Sequence, residues 1–215
     1  MRTDEEYKKL SIGEFTRAAE HYEGDEAGMY KMCQDDYPFI LDEIRGQDFE
    51  DLLDVGCGTG PMISLLAKEY PDKHYVGVDL TPKMIEVAKA KNLANTEWIV
   101  GDAENLPIGD ACYDIVINSQ SYHHYPNPQA FMNEVMRVLR PGGLFVMRDN
   151  TTDNKALAWA VNHIELPLAN VFGKGDVRMS TLDEVRTYCE NAGLVVDKLE
   201  GQKKFRLHLV AHKPE

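Results

Sequence analysis

The residues Gly56-Cys57-Gly58-Thr59-Gly60 set three glycines at alternate positions, directly after a short aliphatic run from Asp51 to Val55. Glycines in that arrangement allow unusual backbone angles and let a ligand come close to main-chain N–H groups. A carboxylate, Asp79, ends the next aliphatic run, about 20 residues further on. At that place a carboxylate can accept both hydroxyl protons of a ribose. The two features together predict a site for an adenosine-bearing cofactor. Cys57 within the loop needs no redox role, since a small buried residue fits there. A second group of reactive side chains, His123 and His124, lies in Ser121-Tyr122-His123-His124-Tyr125-Pro126. Imidazole titrates near neutral pH and can take a proton from an acceptor. The same pair also reads as one histidine capping local backbone and one facing solvent. Arg148 and Asp149 follow a later aliphatic run, where they can bind a polar acceptor or pair with each other. His163 and Glu165 stand among Trp159, Leu166, Leu168 and Phe172. That mixture suits an apolar acceptor pocket with a few polar groups, or a helix packed for stability alone.

Such residues need elements to position them. Helical spacing is expected over Phe15–Ile44, Met62–Glu69, Pro82–Lys91, Gln129–Leu139 and Leu182–Asn191. Thr81 is expected to cap the helix begun by Pro82, and Thr181 with Glu184 has capping-box spacing. Strands are expected at Asp51–Val55, His74–Val78, Thr96–Val100, Tyr113–Asn118 and Leu144–Met147. Two more follow near Leu194–Leu199 and Phe205–Ala211, joined by a short polar connection. Strands alternating with helices predict an α/β fold with a parallel sheet covered on both faces, and the short last connection predicts an antiparallel addition at one edge. Ligands settle at the carboxyl ends of such strands, where strand order reverses. The stretch from Thr151 to Met179 fits no regular crossover and is expected to cover something.

The choice of cofactor turns on Pro61. The dinucleotide fingerprint is G-x-G-x-x-G/A, and here proline occupies the place of its third glycine. This disfavours a nicotinamide-dependent oxidoreductase, which stands as the alternative reading beside a non-catalytic cofactor-binding module. Leu53-Asp54-Val55-Gly56-Cys57-Gly58-Thr59-Gly60 resembles the first motif of class I methyltransferases. Val76-Gly77-Val78-Asp79 with Thr81-Pro82-Lys83-Met84 resembles the second strand and helix of that family. Gly101-Asp102-Ala103-Glu104-Asn105-Leu106-Pro107 resembles its adenine-side loop. Tyr113-Asp114-Ile115-Val116 and Leu139-Arg140-Pro141-Gly142-Gly143 resemble its later motifs. The agreement runs in order from about Asp51 to Met147 and is most similar to the ubiquinone/menaquinone-biosynthesis type.

The resemblance implies a Rossmann-like, doubly wound seven-stranded sheet, mostly parallel with an antiparallel C-terminal strand. It implies S-adenosylmethionine as cofactor and S-adenosylhomocysteine as product. By position, Asp54, Gly56, Cys57, Gly58 and Gly60 would border the methionine part. Asp79 would hold the ribose hydroxyls and Leu80 would pack on the adenine. Asp102 would accept from the adenine amino group, and Ala103 would offer its backbone N–H. Asn118 and Ser119 would lie near the ammonium and sulfonium. Phe15-x-x-Ala18-x-x-x-Tyr22 resembles the aromatic segment that closes the site in that group, so Tyr22 would cover the cofactor or simply pack within an N-terminal helix. Methyl transfer from a sulfonium is an in-line displacement, in which the protein mainly positions the acceptor. A base, His123 or His124, is needed only when the acceptor has a proton to lose.

The bulk numbers bound these readings. The 215 residues suit one domain, divided as an N-terminal helical cap (1–48), a cofactor-binding core (49–150), an acceptor-covering insertion (151–179) and a final helix with two strands (180–215). Lys and Arg total 23 against 36 Asp and Glu, a formal charge of −13. An acidic chain repels phosphate backbones, so a small-molecule acceptor is expected rather than nucleic acid. The four cysteines show neither CxxC nor Cys/His spacing, so no zinc or other metal and no disulfide framework is expected. No apolar stretch is long enough to span a bilayer, so no membrane partner is expected. Met1–Lys9 is charged and lacks a signal-peptide core, which makes a reducing cytoplasm the expected location. Nothing in the sequence speaks to oligomeric state.

Overall fold

The computed structural model describes residues 2–24 and 29–215. A seven-stranded sheet carries the molecule, in the order β3-β2-β1-β4-β5-β7-β6. Its strands are β1 (Asp51–Val55), β2 (His74–Asp79), β3 (Thr96–Val100), β4 (Tyr113–Ser119), β5 (Leu139–Asn150), β6 (Val195–Gln202) and β7 (Arg206–His212). The first five run parallel, and β7 pairs antiparallel with both β5 and β6. This is the Rossmann-like α/β architecture expected of the sequence. Strand order reverses between β1 and β4, so the loops after those two strands frame the crevice where ligands bind.

Alternate residues along each strand feed two cores. Leu53, Val55, Val76, Val78, Val116, Phe145 and Met147 lie on one face. Leu52, Tyr75, Ile115, Ile117 and Val146 lie on the other. The period of two is that of a pleated strand, and burial of both faces accounts for the nearly continuous aliphatic runs. The first face is covered by α5 (Pro128–Val138) and α8 (Leu182–Ala192), through Phe131, Val135, Val185 and Cys189. The second is covered by α2 (Met29–Ile44), α3 (Pro61–Glu69) and α4 (Pro82–Ala90), through Ile40, Ile44, Ile63, Leu66 and Ile85. The capping box at Thr181 and Glu184 forms as expected, and Gly193 ends α8 in the left-handed conformation.

Several boundaries differ from expectation. The single helix expected over Phe15–Ile44 is instead α1 (Asp4–Ala18), a 3-10 turn at Tyr22–Gly24, and α2. A Thr3–Glu6 capping box starts α1 well before Phe15. The chain turns at Glu23 because that carboxylate reaches Lys91 (2.6 Å) and Thr59 of the glycine loop. Strand β5 is longer than expected, since β7 pairs with it from Leu144 to Asn150 and Leu139 meets Tyr113. Thr81 holds the N-cap position of α4 without a side-chain cap, and its N–H donates to Asp79 instead.

The covering stretch is α6 (Lys155–Ala160), a π-helical turn (Val161–Glu165) and α7 (Leu166–Val171), returning through 172–180. Its aromatic and aliphatic side chains do not line the crevice framed by the loops after β1 and β4, and Trp159 borders a separate surface groove against the start of α8. Trp159, Leu168 and Phe172 are 58%, 59% and 79% exposed. His163 and Glu165 are exposed as well, and His163 stacks on Trp159. The inner positions belong to Ala158, Val161, Asn162 and Asn170. The amide of Asn162 holds Met179, and that of Asn170 holds Asp176. The inward face is thus used to fasten the returning strand. Among the described residues no helix is long and apolar enough to cross a membrane.

Candidate cofactor and acceptor site

Two adjoining cavities, of about 510 and about 530 Å³, lie at the reversal point and share Phe15, Gly56, Asp79, Ser121 and His124. The first adds Lys8, Leu80, Asp102, Ala103 and Tyr125. The second adds Tyr22, Cys33, Asp54, Gly58, Ser119 and Gln120. Most of the expected cofactor residues therefore meet in one crevice.

The three glycines have different tasks. At Gly56 (φ +75°) an added Cβ would stand 2.1 Å from the Ser121 hydroxyl oxygen. At Gly60 (φ +77°) it would stand 2.1 Å from the Trp98 ring, which packs beneath the loop, and Gly60 lines neither cavity. Only Gly58 presents open space, with Tyr22 Cε1 the nearest atom at 3.9 Å. Two glycines thus serve packing, and one leaves room for a ligand. The backbone of the loop is fixed by Gly56 N–H and Cys57 N–H, which both donate to the Val78 carbonyl.

Asp79 is half-buried in the site and anchored by backbone donors. Its Oδ2 accepts from Gly58 N–H at 2.9 Å and its Oδ1 from Thr81 N–H at 2.8 Å. A carboxylate oxygen has room for a second donor, so each can still take a ribose hydroxyl. Burial raises Asp79 above the ordinary carboxylate range despite those bonds. Burial and then the neighbouring charge of Asp79 push Asp54 up to about 8. Two carboxylates close together in low dielectric favour a ligand that brings positive charge. They oppose a pyrophosphate, and the proline that opens α3 removes one of the N–H donors a pyrophosphate would use.

Asn118 and His123 line neither cavity. The buried Asn118 amide donates to the Val55 carbonyl, the Ser121 hydroxyl and the Tyr125 hydroxyl, tying β4 to β1. His123 donates from its ring to Asp149 (Nδ1 to Oδ1, 2.9 Å), and its Nε2 lies 3.3 Å from Asp176. Burial alone would lower His123, but the charges and hydrogen bonds of Asp149 and Asp176 outweigh it and push it up to about 10. His124 does line both cavities, edge-on to Phe15 with ring centroids 5.0 Å apart. Burial, and then the charge of His123, push it down to about 4. Neither histidine faces solvent as a free surface group.

Arg148 and Asp149 do not pair with each other. Consecutive strand residues point to opposite faces. Arg148 turns to Asp36 on α2 (Nη2 to Oδ1, 2.7 Å), to Gln202 and to the face of the Phe39 ring. Asp149 turns to His123.

Other residues of the site gave no signal in the sequence. Lys8 of α1 bridges Asp102 (2.7 Å) and Glu104 (2.6 Å), so one oxygen of the expected adenine acceptor carries an ammonium partner. Its lysine lies in a run of charges with no periodicity to mark it. Gln120 has a left-handed backbone (φ +52°) and donates to Asp36. Tyr22, by contrast, is marked by its aromatic segment, and it stands over Gly58 from the turn after α1 with its hydroxyl 3.4 Å from Cys33 Sγ. Cys33 and Asp176 reach the site only through the tertiary fold.

Residues 53–147 match the model of a family described as "Methyltransferase domain". The chain is similar to a phthiotriol/phenolphthiotriol dimycocerosates methyltransferase of Mycobacterium tuberculosis, 38% identical over 120 residues, which cover 55% of this chain and 44% of that protein. It is similar to a fatty-acid O-methyltransferase of Mycolicibacterium smegmatis, 42% identical over 99 residues, covering 46% and 36%. The chain thus spans less than half the length of these curated relatives. Among solved structures it is similar in fold to a chain of the Haloferax volcanii complex between the Trm112 methyltransferase activator and a protein described as a methyltransferase. That match has a TM-score of 0.76 at 21% identity, covering 94% of this chain and 98% of the other.

Proposed function

We propose that this chain, whose residues 53–147 form a methyltransferase domain of the class I type, transfers a methyl group from S-adenosylmethionine to a small organic acceptor. The observation that carries the reading is the pair of carboxylates, Asp54 buried and Asp79 half-buried, flanking Gly58 in a cavity at the strand reversal. S-adenosylmethionine supplies an activated methyl on a sulfonium together with an ammonium, and both positive centres suit that acidic floor. Asp79 holds the ribose hydroxyls. Asp54, Gly58 and Ser119 border the amino-acid part, and Leu80, Asp102 and Ala103 border the adenine. The cap contributes Phe15 and Tyr22, which exclude water from the crevice. Of the two histidines expected to act on the acceptor, His124 is the one that lines the cavities, and it takes that role. His123 acts at one remove, fixed between Asp149 and Asp176.

The acceptor class is lipid-like or a carboxylic acid. The names of the relatives support it, one being a phthiotriol/phenolphthiotriol dimycocerosates methyltransferase and the other a fatty-acid O-methyltransferase. The acidic charge of the chain supports a small acceptor over nucleic acid.

Calorimetric titration with S-adenosylmethionine, S-adenosylhomocysteine and NAD tests the cofactor. Saturable binding of the two sulfur compounds and none of NAD is expected, and binding of NAD alone overturns the proposal. A transfer assay with labelled methyl and a panel of fatty acids and lipid alcohols then tests the acceptor. In it, His124→Ala is expected to lower kcat while leaving cofactor affinity within about twofold of the parent chain.

A further inference from the structure

His123 and His124 follow β4, and Asp176 comes to them from the covering stretch. His123 Nε2 stands 3.3 Å from Asp176 Oδ1, and His124 Nδ1 stands 3.9 Å from the same oxygen. One ligating atom of each residue lies within 4.8 Å of the other two. In a tetrahedral site with bonds near 2.0–2.2 Å, ligand atoms stand about 3.3 Å apart. Closing the widest gap by up to about 1.5 Å, shared between the side chains, would bring all three into that geometry.

Two further observations point to a missing ligand. His124 Nδ1 is buried and has no hydrogen-bond partner, on a side chain only 10% exposed. A buried ring nitrogen left unpaired costs free energy that an ion would recover. Asp149, fully buried, holds the opposite nitrogen of His123 at 2.9 Å. That order, an outer carboxylate fixing an imidazole whose other nitrogen faces the Asp176 oxygen and His124 Nδ1, is how ligating histidines are oriented. The charges agree as well. Ligation displaces the proton that His123 holds between Asp149 and Asp176, and the two carboxylates with two neutral imidazoles then carry −2, which one divalent cation cancels. The nearby cations are directed elsewhere, Lys174 to Glu14 and Arg178 to Glu184 and Tyr188.

We propose that His123 Nε2, His124 Nδ1 and the Asp176 carboxylate form a site for one divalent transition-metal ion of the zinc type, with Asp149 as the outer carboxylate that fixes His123. Imidazole and carboxylate donors suit zinc or cobalt, whereas magnesium prefers oxygen alone. The cysteine spacings searched in the sequence do not bear on such a site, because its ligands come from a turn and a distant loop. The ion joins the end of β4 to the cover, beside the cavities. The site rests on its own geometry and stands apart from the cofactor assignment.

The test uses the full chain stripped by chelator, titrated with Zn²⁺ by calorimetry and with Co²⁺ by visible absorption. One ion per chain is expected, with cobalt bands of a low-coordinate site. His124→Ala and Asp176→Asn are expected to weaken binding at least 100-fold, and Asp149→Asn about 10–100-fold. His21→Ala, at an exposed histidine, is expected to change nothing. No saturable binding, or binding that survives both His124→Ala and Asp176→Asn, overturns the site. If those variants do not fold, hydrogen exchange of the unaltered chain decides. Zn²⁺ should slow exchange over residues 173–178, and unchanged exchange overturns the proposal. Titration of the same metal-free chain with S-adenosylhomocysteine keeps the two readings separable, since its outcome bears on the methyltransferase reading alone.

Discussion

The floor of the crevice and its cover are built in different ways. The floor comes from the ends of β1 and β2 and is held mainly by main-chain bonds, Gly56 and Cys57 N–H to the Val78 carbonyl, with one side-chain link, Gly58 N–H to the Asp79 carboxylate. The cover comes from α1 and the turn after it, backed by residues 170–178, which are joined to α1 through side chains and to the turn after β4 by Val177 and Arg178 N–H donating to the His123 carbonyl. Arg2 donates to the Asn170 carbonyl, Ser11 to the Gly175 carbonyl, and Glu14 takes both Lys174 and the Gly175 N–H. Lys8 then fastens α1 to Asp102 and Glu104 on the adenine side. Main-chain bonds survive most substitutions, whereas a side-chain link is lost with one residue. The floor is therefore suited to a constant cofactor, and the cover to acceptors that change.

The largest effect is expected inside the floor. Gly56→Ala places a methyl 2.1 Å from the Ser121 hydroxyl oxygen in a left-handed backbone. Backbone strain of about 1–3 kcal/mol and overpacking of about 1–3 kcal/mol should sum to a large share of the total stability. Gly58→Ala meets nothing closer than 3.9 Å, so only the strain remains, while its methyl enters the second cavity. Urea midpoints should fall steeply for the first and little for the second, and cofactor affinity should fall for both. Equal midpoints would mean that the division of labour among the glycines is wrong.

Next comes Asp79→Ala, which removes the acceptor of Gly58 N–H and the proposed acceptor of the ribose hydroxyls. A charged hydrogen bond is worth about 1.5–3 kcal/mol, so cofactor affinity should drop roughly 10–150-fold. Calorimetry at one pH checks this, and unchanged affinity would move the cofactor off the floor.

Asp54 gives a subtler signature. Its carboxyl is pushed up to about 8 from an ordinary 3.8, so the folded chain binds more protons than the unfolded chain between those values. This contribution to stability is fully present below about pH 4 and is lost as pH rises towards 8. Asp54→Asn should flatten that fall in urea midpoints. Near pH 7 a cationic ligand should displace the proton, which calorimetry in buffers of different ionisation enthalpy detects. Binding with no proton release would place the ligand's charge away from Asp54.

The same division explains what the sequence reveals. Gly56 to Gly60, Asp79 and the Asp102–Ala103 loop are legible because each acts through backbone geometry fixed by its neighbours, and the sheet follows from aliphatic runs of period two. The cover is not legible. Trp159, Leu168 and Phe172 suggest an apolar pocket lining, yet short helices broken by a π-helical turn leave them facing solvent. Asp176 shows no local pattern, and its partners, His123 and His124, become visible only when the return from α7 passes beside β4. Pairing Arg148 with Asp149 by adjacency fails because a strand sends them to opposite faces.

The smallest expected effect is the most direct probe of the cover. Glu14 is buried, accepts from Lys174 Nζ at 2.6 Å and from Gly175 N–H at 2.8 Å, and belongs to α1. Glu14→Gln keeps the shape and one acceptor oxygen but loses the charge. Lys174 is half exposed, so the ion pair itself contributes little, and the loss should be about 1 kcal/mol. Global urea midpoints should therefore move slightly, while hydrogen exchange over 173–178 should quicken several-fold. The floor, held by its own main-chain bonds, should keep its exchange rates at Gly56 to Gly58. If floor and cover quicken together, the two regions open as one unit, and the acceptor side is not an independently adjustable lid over a fixed cofactor floor.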